Sequence, residues 1–450
     1  MEQKISRRSF TKTLAAGAPL GLAAIQASGA ESKIIGANDT IRVGFVGVAN
    51  RGRQVLSAFL KSDKMQAAAL CDVDSQTLAN SREKFAPNAL AVEDFRELLD
   101  RKDIDALVFA TPDHWHAFQC IEACKAGKDV YVEKPLSSTV KEGRMMIDAA
   151  KKYGRVVQVG IHRRSSPLFK DLCDLPIEKK IGKIAVAHTG YTSNMATSGM
   201  GKAKPTAPPA SLNWDLWLGP KGKRPYQENI APYKFRWWID YCSQIANQGV
   251  HHIDAVRWLL HEEAPVSVCA MGGRFAVDDD RTIPDTMEAI FQFKSGRLII
   301  VSVYESSGNP IFATDEKYRP FGNMEFRGIN GTLYAIDNRY VIKPERGGQY
   351  QNHAPRMKEE VFELPGSREG NTDLTAKHAK NFLDCMRSRA KTNCDLENAQ
   401  RSTTMALIAN ISLAVGRRLE WNAEKEEFIN DPDANQHLFY EYRAPWKLEI

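Results

Sequence analysis

Gly47-Val48-Ala49-Asn50-Arg51-Gly52 follows the apolar run Ile41 to Val46 and precedes a helical pattern from about Arg53 to Lys61. Glycine at the first position permits a tight turn, and glycine at the last lets a helix lie close against a strand. The helix start then offers unpaired N–H groups to a diphosphate. Ala49 replaces the middle glycine of the usual G-x-G-x-x-G pattern, so a methyl group stands at the point of closest approach. Asp72 closes the next apolar run, Met65 to Cys71. It lies near the spacing of about 20 residues at which an acid grips ribose hydroxyls. A carboxylate there repels a 2′-phosphate, so the expected cofactor is NAD, with NADP less favoured. Asp74 instead suits the N-cap of the following helix.

Other chemistry-bearing residues are fewer. Eight cysteines, at 71, 120, 124, 173, 242, 269, 385 and 394, show no disulfide framework and no second pair at zinc-site distance. They read as buried thiols. His116, His162, His251 and Asp254 fall in no helical ligand motif, so no metal is expected. The chain has 450 residues and a net charge of +6, of which the first 30 residues carry +3. The small remainder gives no warrant for nucleic-acid binding. With 43% hydrophobic and 26% charged residues, neither a disordered chain nor a collagen-like fibre fits.

The elements that must hold these residues alternate. Apolar runs at 41–46, 65–71, 104–110, 129–132 and 155–159 are separated by helical patterns at 53–61, 75–85, 117–126 and 140–153. Such alternation predicts a parallel sheet with right-handed crossovers, a Rossmann-type domain over 39–160. Beyond it, residues 193–234 are rich in Pro, Gly and Lys and read as a surface excursion. β-like runs follow at 183–191, 266–276, 286–293, 297–304, 323–327 and 332–336, with turns at Lys294-Ser295-Gly296 and Asn330-Gly331. These should be antiparallel neighbours in one open sheet, and two helices, near 372–389 and 396–418, should close the chain. The fold class is therefore α/β, a Rossmann dinucleotide-binding domain followed by an α+β domain over 161–450. An open sheet face of that kind favours a homo-oligomer.

Residues 1–30 read differently. Ser6-Arg7-Arg8-Ser9-Phe10 precedes an apolar run from Leu14 to Ile25 and then small residues, Ala27 to Ala30. Twelve apolar residues are too few for a spanning helix, which needs about 20. The segment resembles a cleavable twin-arginine export signal, which implies a periplasmic protein with no stable membrane anchor.

Three further stretches carry a family likeness. Ala110-Thr111-Pro112-Asp113-His114-Trp115-His116, Ala126-Gly127-Lys128-Asp129-Val130-Tyr131-Val132-Glu133-Lys134-Pro135, and Asn247-Gln248-Gly249-Val250-His251-His252-Ile253-Asp254 resemble the Gfo/Idh/MocA family of glucose–fructose oxidoreductase, inositol dehydrogenase and relatives. The likeness runs from about residue 40 to the end. It implies NAD(P)-dependent redox chemistry on a sugar or polyol, with Lys134 and His251 as catalytic groups. Thr111, Pro112, His116 and Glu133 join Gly47, Ala49, Asn50, Arg51, Gly52 and Asp72 as expected cofactor contacts. His162, Arg163, Trp237, Asn247 and Asp254 are expected on the substrate side, with Trp238 and Arg164 as weaker candidates there; His114 is another for the nicotinamide pocket.

One departure bears on mechanism. Many relatives place Asp four residues before the signature histidine, where this chain has Asn247. An amide orients imidazole without stabilising imidazolium. Either His251 then acts as a neutral hydrogen-bond partner, or Asp254 or Lys134 does the proton work. Lys134 suits that task if burial lowers its pKa.

An exported dehydrogenase must carry its cofactor and regenerate it within each cycle. The net reaction is then a coupled sugar oxidoreduction or glycoside hydrolysis by oxidation, elimination, hydration and reduction. Known NAD-dependent glycosidases of the α-N-acetylgalactosaminidase kind are expected to lack Glu-Lys-Pro, which argues against direct membership. A non-catalytic sugar sensor is the reading from another class, favoured by Ala49 and Asn247 and opposed by Lys134 and His251.

Overall fold

The computed structural model describes residue 36 and residues 39–308, 324–365 and 373–450. The leader at 1–30 lies outside the described residues. Strands β1 (Ile41–Val46), β2 (Met65–Cys71), β3 (Leu90–Val92), β4 (Ala106–Phe109), β5 (Asp129–Val132) and β6 (Val157–Val159) form a parallel sheet in the order β3-β2-β1-β4-β5-β6. These short runs are almost continuously apolar because helices cover both faces. The strand order reverses between β1 and β4, and a cleft opens beyond their carboxyl ends, where such sheets bind ligands.

Local chemistry sets the helix starts. Asp74 caps the helix Ser75–Phe85 by accepting from the Thr77 N–H at 2.8 Å. Thr139 and Glu142 form a reciprocal capping box on the helix Val140–Lys152. Gly47 has φ +79, a conformation that disfavours side chains. A Cβ on Gly52 would fall 1.8 Å from the Gly47 carbonyl oxygen, so the helix Asn50–Phe59 packs this closely on β1 only with glycine there.

The second sheet joins β7 (Ile184–Thr192), β8 (Pro265–Gly273), β9 (Thr286–Phe293), β10 (Leu298–Tyr304), β11 (Met324–Gly328), β12 (Gly331–Ile336), β13 (Arg339–Pro344), β14 (Glu360–Glu363), β15 (Leu419–Asn422) and β16 (Glu427–Phe428). Its order is β14-β13-β12-β11-β7-β10-β9-β8-β15-β16. The sheet is mainly antiparallel, as expected, with one exception in that β7 pairs with β10 in parallel. The chain leaves β7 through the excursion and a helix before returning, which is long enough for a crossover. The helices Val250–Leu259 and Leu396–Val415 bury one face. On the other, Met271 and Ile290 remain exposed.

Two expectations about the end of the chain are corrected. The helix Leu374–Ser388 packs on the Rossmann sheet, with Phe382 against Phe59 and Tyr131 at 6.2 and 6.0 Å between rings. Nor do two helices close the chain, because β15, β16, the helix Pro432–Gln436 and a tail follow them. Trp446 of that tail lies edge-on to Trp115 and Phe118 at 5.0 and 5.3 Å, tying the terminus to the Rossmann domain.

Candidate active site

The cleft at the edge of the Rossmann sheet, open to solvent on one side, has a volume of about 920 Å³. Gly47, Ala49, Asn50, Arg51, Asp72, Thr111 and Pro112 all line it, as the sequence suggested. The helix Asn50–Phe59 begins there with no side-chain cap and no acid in its first turn, so its leading N–H groups stay open to an anion. Arg51 adds a buried Nη2 with no hydrogen-bond partner. Its Nε is fixed at 2.9 Å from Glu133.

At the far end of the cleft, Asp72 accepts from the Val48 N–H at 2.9 Å and the Asp74 N–H at 3.0 Å. Burial still outweighs those bonds and pushes its pKa up to about 6. A desolvated carboxylate held in place awaits further donors, which paired ribose hydroxyls supply. The open helix start, the unpartnered guanidinium nitrogen and this acid fit a dinucleotide. When bound, a nicotinamide dinucleotide supplies a two-electron hydride acceptor and donor.

Glu133 and Gly52 do not reach the cleft. Glu133 is buried and acts through Arg51, while Gly52 is consumed in packing against β1. His116 is also corrected. It is fully buried, and its ring nitrogens lie 2.8 and 3.0 Å from the carbonyl oxygens of Pro135 and Thr111, bracing the two cleft loops against each other. His114 is buried in an aromatic box with Trp217 and Tyr241, its Nε2 3.0 Å from the Trp217 carbonyl. Neither histidine lines the cleft.

The second group of residues gathers around Lys134. Its Nζ donates to the Asn247 backbone carbonyl at 2.6 Å and to Asn247 Oδ1 at 2.7 Å. The Asn247 amide nitrogen donates to Gln244 at 3.2 Å, which fixes the amide's orientation. Asn247 therefore orients the lysine rather than the imidazole, correcting the role that the family resemblance implied. Burial lowers the Lys134 pKa, with Arg236 adding to the effect and Glu133 and Asp113 opposing it. His251 stands in the first turn of the helix Val250–Leu259, its ring 4.8 Å from that of His162. Burial, then the charges nearby, hold both imidazoles well below their usual pKa, so they are neutral at physiological pH. The Nδ1 atoms of both are buried without a partner.

The geometry suits proton transfer at Lys134. A neutral amine has two N–H groups, matching its two Asn247 acceptors, and its lone pair is then free in the remaining direction. Unlike a carboxylate, an amide does not add a negative charge that would hold the ammonium form.

The other residues expected on the substrate side are engaged with protein partners. Asp254 is fully buried in a two-pronged ion pair with Arg164 at 2.8 and 2.9 Å and accepts from Ser402 at 2.7 Å. An acid so saturated joins the helix Val250–Leu259 to its neighbours, and no proton work falls to it. Arg163 is near the histidines but pairs with Asp337 at 2.7 Å. Trp237 points its indole N–H at Glu305, 2.9 Å away, and Trp238 is buried with its N–H on the Asn229 carbonyl. The excursion supplies the cleft instead through Tyr233, Phe235 and Arg236. Of these, Arg236 carried no sequence signal, because only the folded excursion lays it over the cleft. Among the described residues, no group of three His, Cys, Asp or Glu is placed to hold a metal ion.

A Rossmann cleft facing a lysine-centred pocket defines a nicotinamide-dependent oxidoreductase. The pattern described as "Oxidoreductase family, NAD-binding Rossmann fold" matches residues 41–161, and that described as "Oxidoreductase family, C-terminal alpha/beta domain" matches 170–323 and 330–448. The chain belongs to the Gfo/Idh/MocA oxidoreductase family. A "Glycosyl hydrolase family 109 protein" of Shewanella pealeana is 35% identical over 122 residues, 25% of this chain and 27% of that protein. One from Saccharopolyspora erythraea is 33% identical over 172 residues, 33% of this chain and 38% of that protein. The matches thus span well under half of these curated relatives. A levoglucosan dehydrogenase in complex with NADH and levoglucosan aligns over 85% of this chain and 99% of its own, at 16% identity and TM-score 0.63. A putative myo-inositol dehydrogenase from Sinorhizobium meliloti aligns over the same shares at 19% identity and TM-score 0.57. At such identities these two show the fold.

Proposed function

We propose that this protein is an NAD-dependent oxidoreductase acting on a hydroxyl of a sugar, polyol or glycoside. The observation that carries this reading is the Lys134 amine held by both oxygens of Asn247 beside two neutral histidines. Lys134 takes the hydroxyl proton as the carbinol carbon is oxidised and returns it on reduction. His251 and His162 remain neutral and orient sugar hydroxyls through their unpartnered nitrogens. Asp72 favours NAD by repelling a 2′-phosphate. Names of related folds, a levoglucosan and a myo-inositol dehydrogenase, are in keeping with a carbohydrate substrate.

The Arg7-Arg8 leader supports export to the periplasm with the cofactor loaded and recycled within each turnover. Glycoside hydrolysis through transient oxidation is the second reading, favoured by the family 109 relatives. The exposed sheet face bearing Met271 and Ile290 supports a homo-oligomer. Cofactor extraction from dialysed native protein tests the proposal, with near one NAD(H) per chain expected. Protein that is empty and has no affinity for NAD refutes it. Replacing Lys134 with Ala should lower turnover by about 10²–10⁴-fold while cofactor binding persists. A sensor would lose nothing.

A further inference from the structure

A second cavity, of about 1080 Å³, lies between the loop after Pro135, residues 239–246, the helix Leu396–Val415 and the tail at 436–440. None of its lining residues lines the dinucleotide cleft. Three buried polar atoms on its wall lack a hydrogen-bond partner, Asp113 Oδ2, Ser138 Oγ and Tyr440 Oη. Asp113 is only 6% exposed. Burial raises the Asp113 pKa, opposed by the charge of His116 and a hydrogen bond from the Cys242 thiol, and its Oδ2 is left unpaired at a cost that a ligand group could relieve.

Flat surfaces complete the cavity. Phe439, Tyr440 and Tyr442 stack on one another, 5.2 to 6.1 Å between rings. The first two face the cavity. Lys221 Nζ stands 3.3 Å over the Tyr440 ring. Burial draws its pKa down to about 8, so it stays a cationic donor at neutral pH. An anion would meet Asp113 and Asp240, and a cation would meet Lys221. A neutral ring with many hydroxyls gives protons to the carboxylates, accepts from Lys221 and Ser138, and lays its C–H face on the aromatic rings.

We propose that this cavity is a second binding site, for a neutral sugar or polyol ring, distinct from the Lys134 pocket. The proposal rests on the carbohydrate reading only for its choice of probes. Hydrogen exchange on the holoenzyme, with millimolar methyl α-glucoside, N-acetylgalactosamine or myo-inositol, should show protection at 136–140 and 436–442 for at least one probe. That protection should survive Lys134→Ala. Tyr440→Leu and Ser138→Val should each weaken it by about tenfold or more with cofactor retention unchanged. Protection confined to the Lys134 pocket, no protection with any probe, or binding indifferent to both substitutions overturns the proposal. Persisting protection in a protein that turns over no sugar would sink the catalytic reading and leave this site standing.

Discussion

Replacing Asn247 with Asp isolates the feature that distinguishes this pocket. The substitution changes one atom on a residue whose Oδ1 already lies 2.7 Å from Lys134 Nζ. Coulomb attraction at that separation is about 1.5 kcal/mol in a water-like medium and about 6 kcal/mol at an effective dielectric of 20. Desolvation of the new carboxylate offsets part of the larger figure. An opposite charge in contact moves a pKa by about one to three units, here upward, because the carboxylate favours the ammonium. The acid limb of the pH profile of kcat/KM should therefore move to higher pH by about one to three units. Turnover below both limbs should fall by about 10- to 1000-fold, with little change on the alkaline plateau. Carbon NMR of ε-labelled lysine in the holoenzyme follows the same titration without a substrate. A limb and a lysine resonance that do not move, or that move to lower pH, would show that Lys134 is not the titrating base.

Cofactor affinity should also depend on pH through Asp72. With its pKa near 6, this acid is ionised at neutral pH, and protonation removes an acceptor for ribose hydroxyls. The NAD dissociation constant should rise as pH falls below 6, by up to about tenfold per unit, and Asp72→Asn should flatten the dependence and narrow the preference over NADP. Fluorescence titration at several pH values measures both, and an affinity flat from pH 7 to 5 refutes the assignment. Acid should destabilise the fold. His114 and His378 are held neutral by burial, at about 3 and about 4 against an ordinary 6.5, so the unfolded chain binds more protons between those values. Stability present above pH 6.5 is lost as pH falls through this window, about 2 kcal/mol per histidine at pH 5. Asp72, shifted upward, opposes this by about 1.4 kcal/mol at pH 5. Thermal unfolding from pH 7 to 5 should show a net fall in Tm, and a rise would mean that the raised acids dominate.

Much of this protein was legible along the chain because its signals are local. The parallel sheet follows from short apolar runs alternating with capped helices, and the turn at Gly47 from what a glycine permits. Asp72 sits at a strand end, where a single residue's position already points to the cleft, and Lys134 is marked by the motif that resembles the family's. Backbone hydrogen bonds and side-chain periodicity act over a few residues, so a linear reading captures them.

What the sequence left open was partnership across long separations. The family resemblance makes Asn247 the companion of His251, yet a π-helical turn at Ile245–Gly249 turns it toward Lys134, 113 residues away. Asp254 carried the right chemistry for proton transfer, but burial against Arg164 and Ser402 took up its charge. His116 looked like a cofactor contact and became a brace between two carbonyls. The parallel pairing of β7 with β10 and the return of Trp446 to the Rossmann domain are decided the same way. Whether a polar side chain meets a ligand or a neighbour depends on which groups the folded chain brings within about 3 Å. That distance is set by the packing of whole elements, which no spacing along the chain encodes.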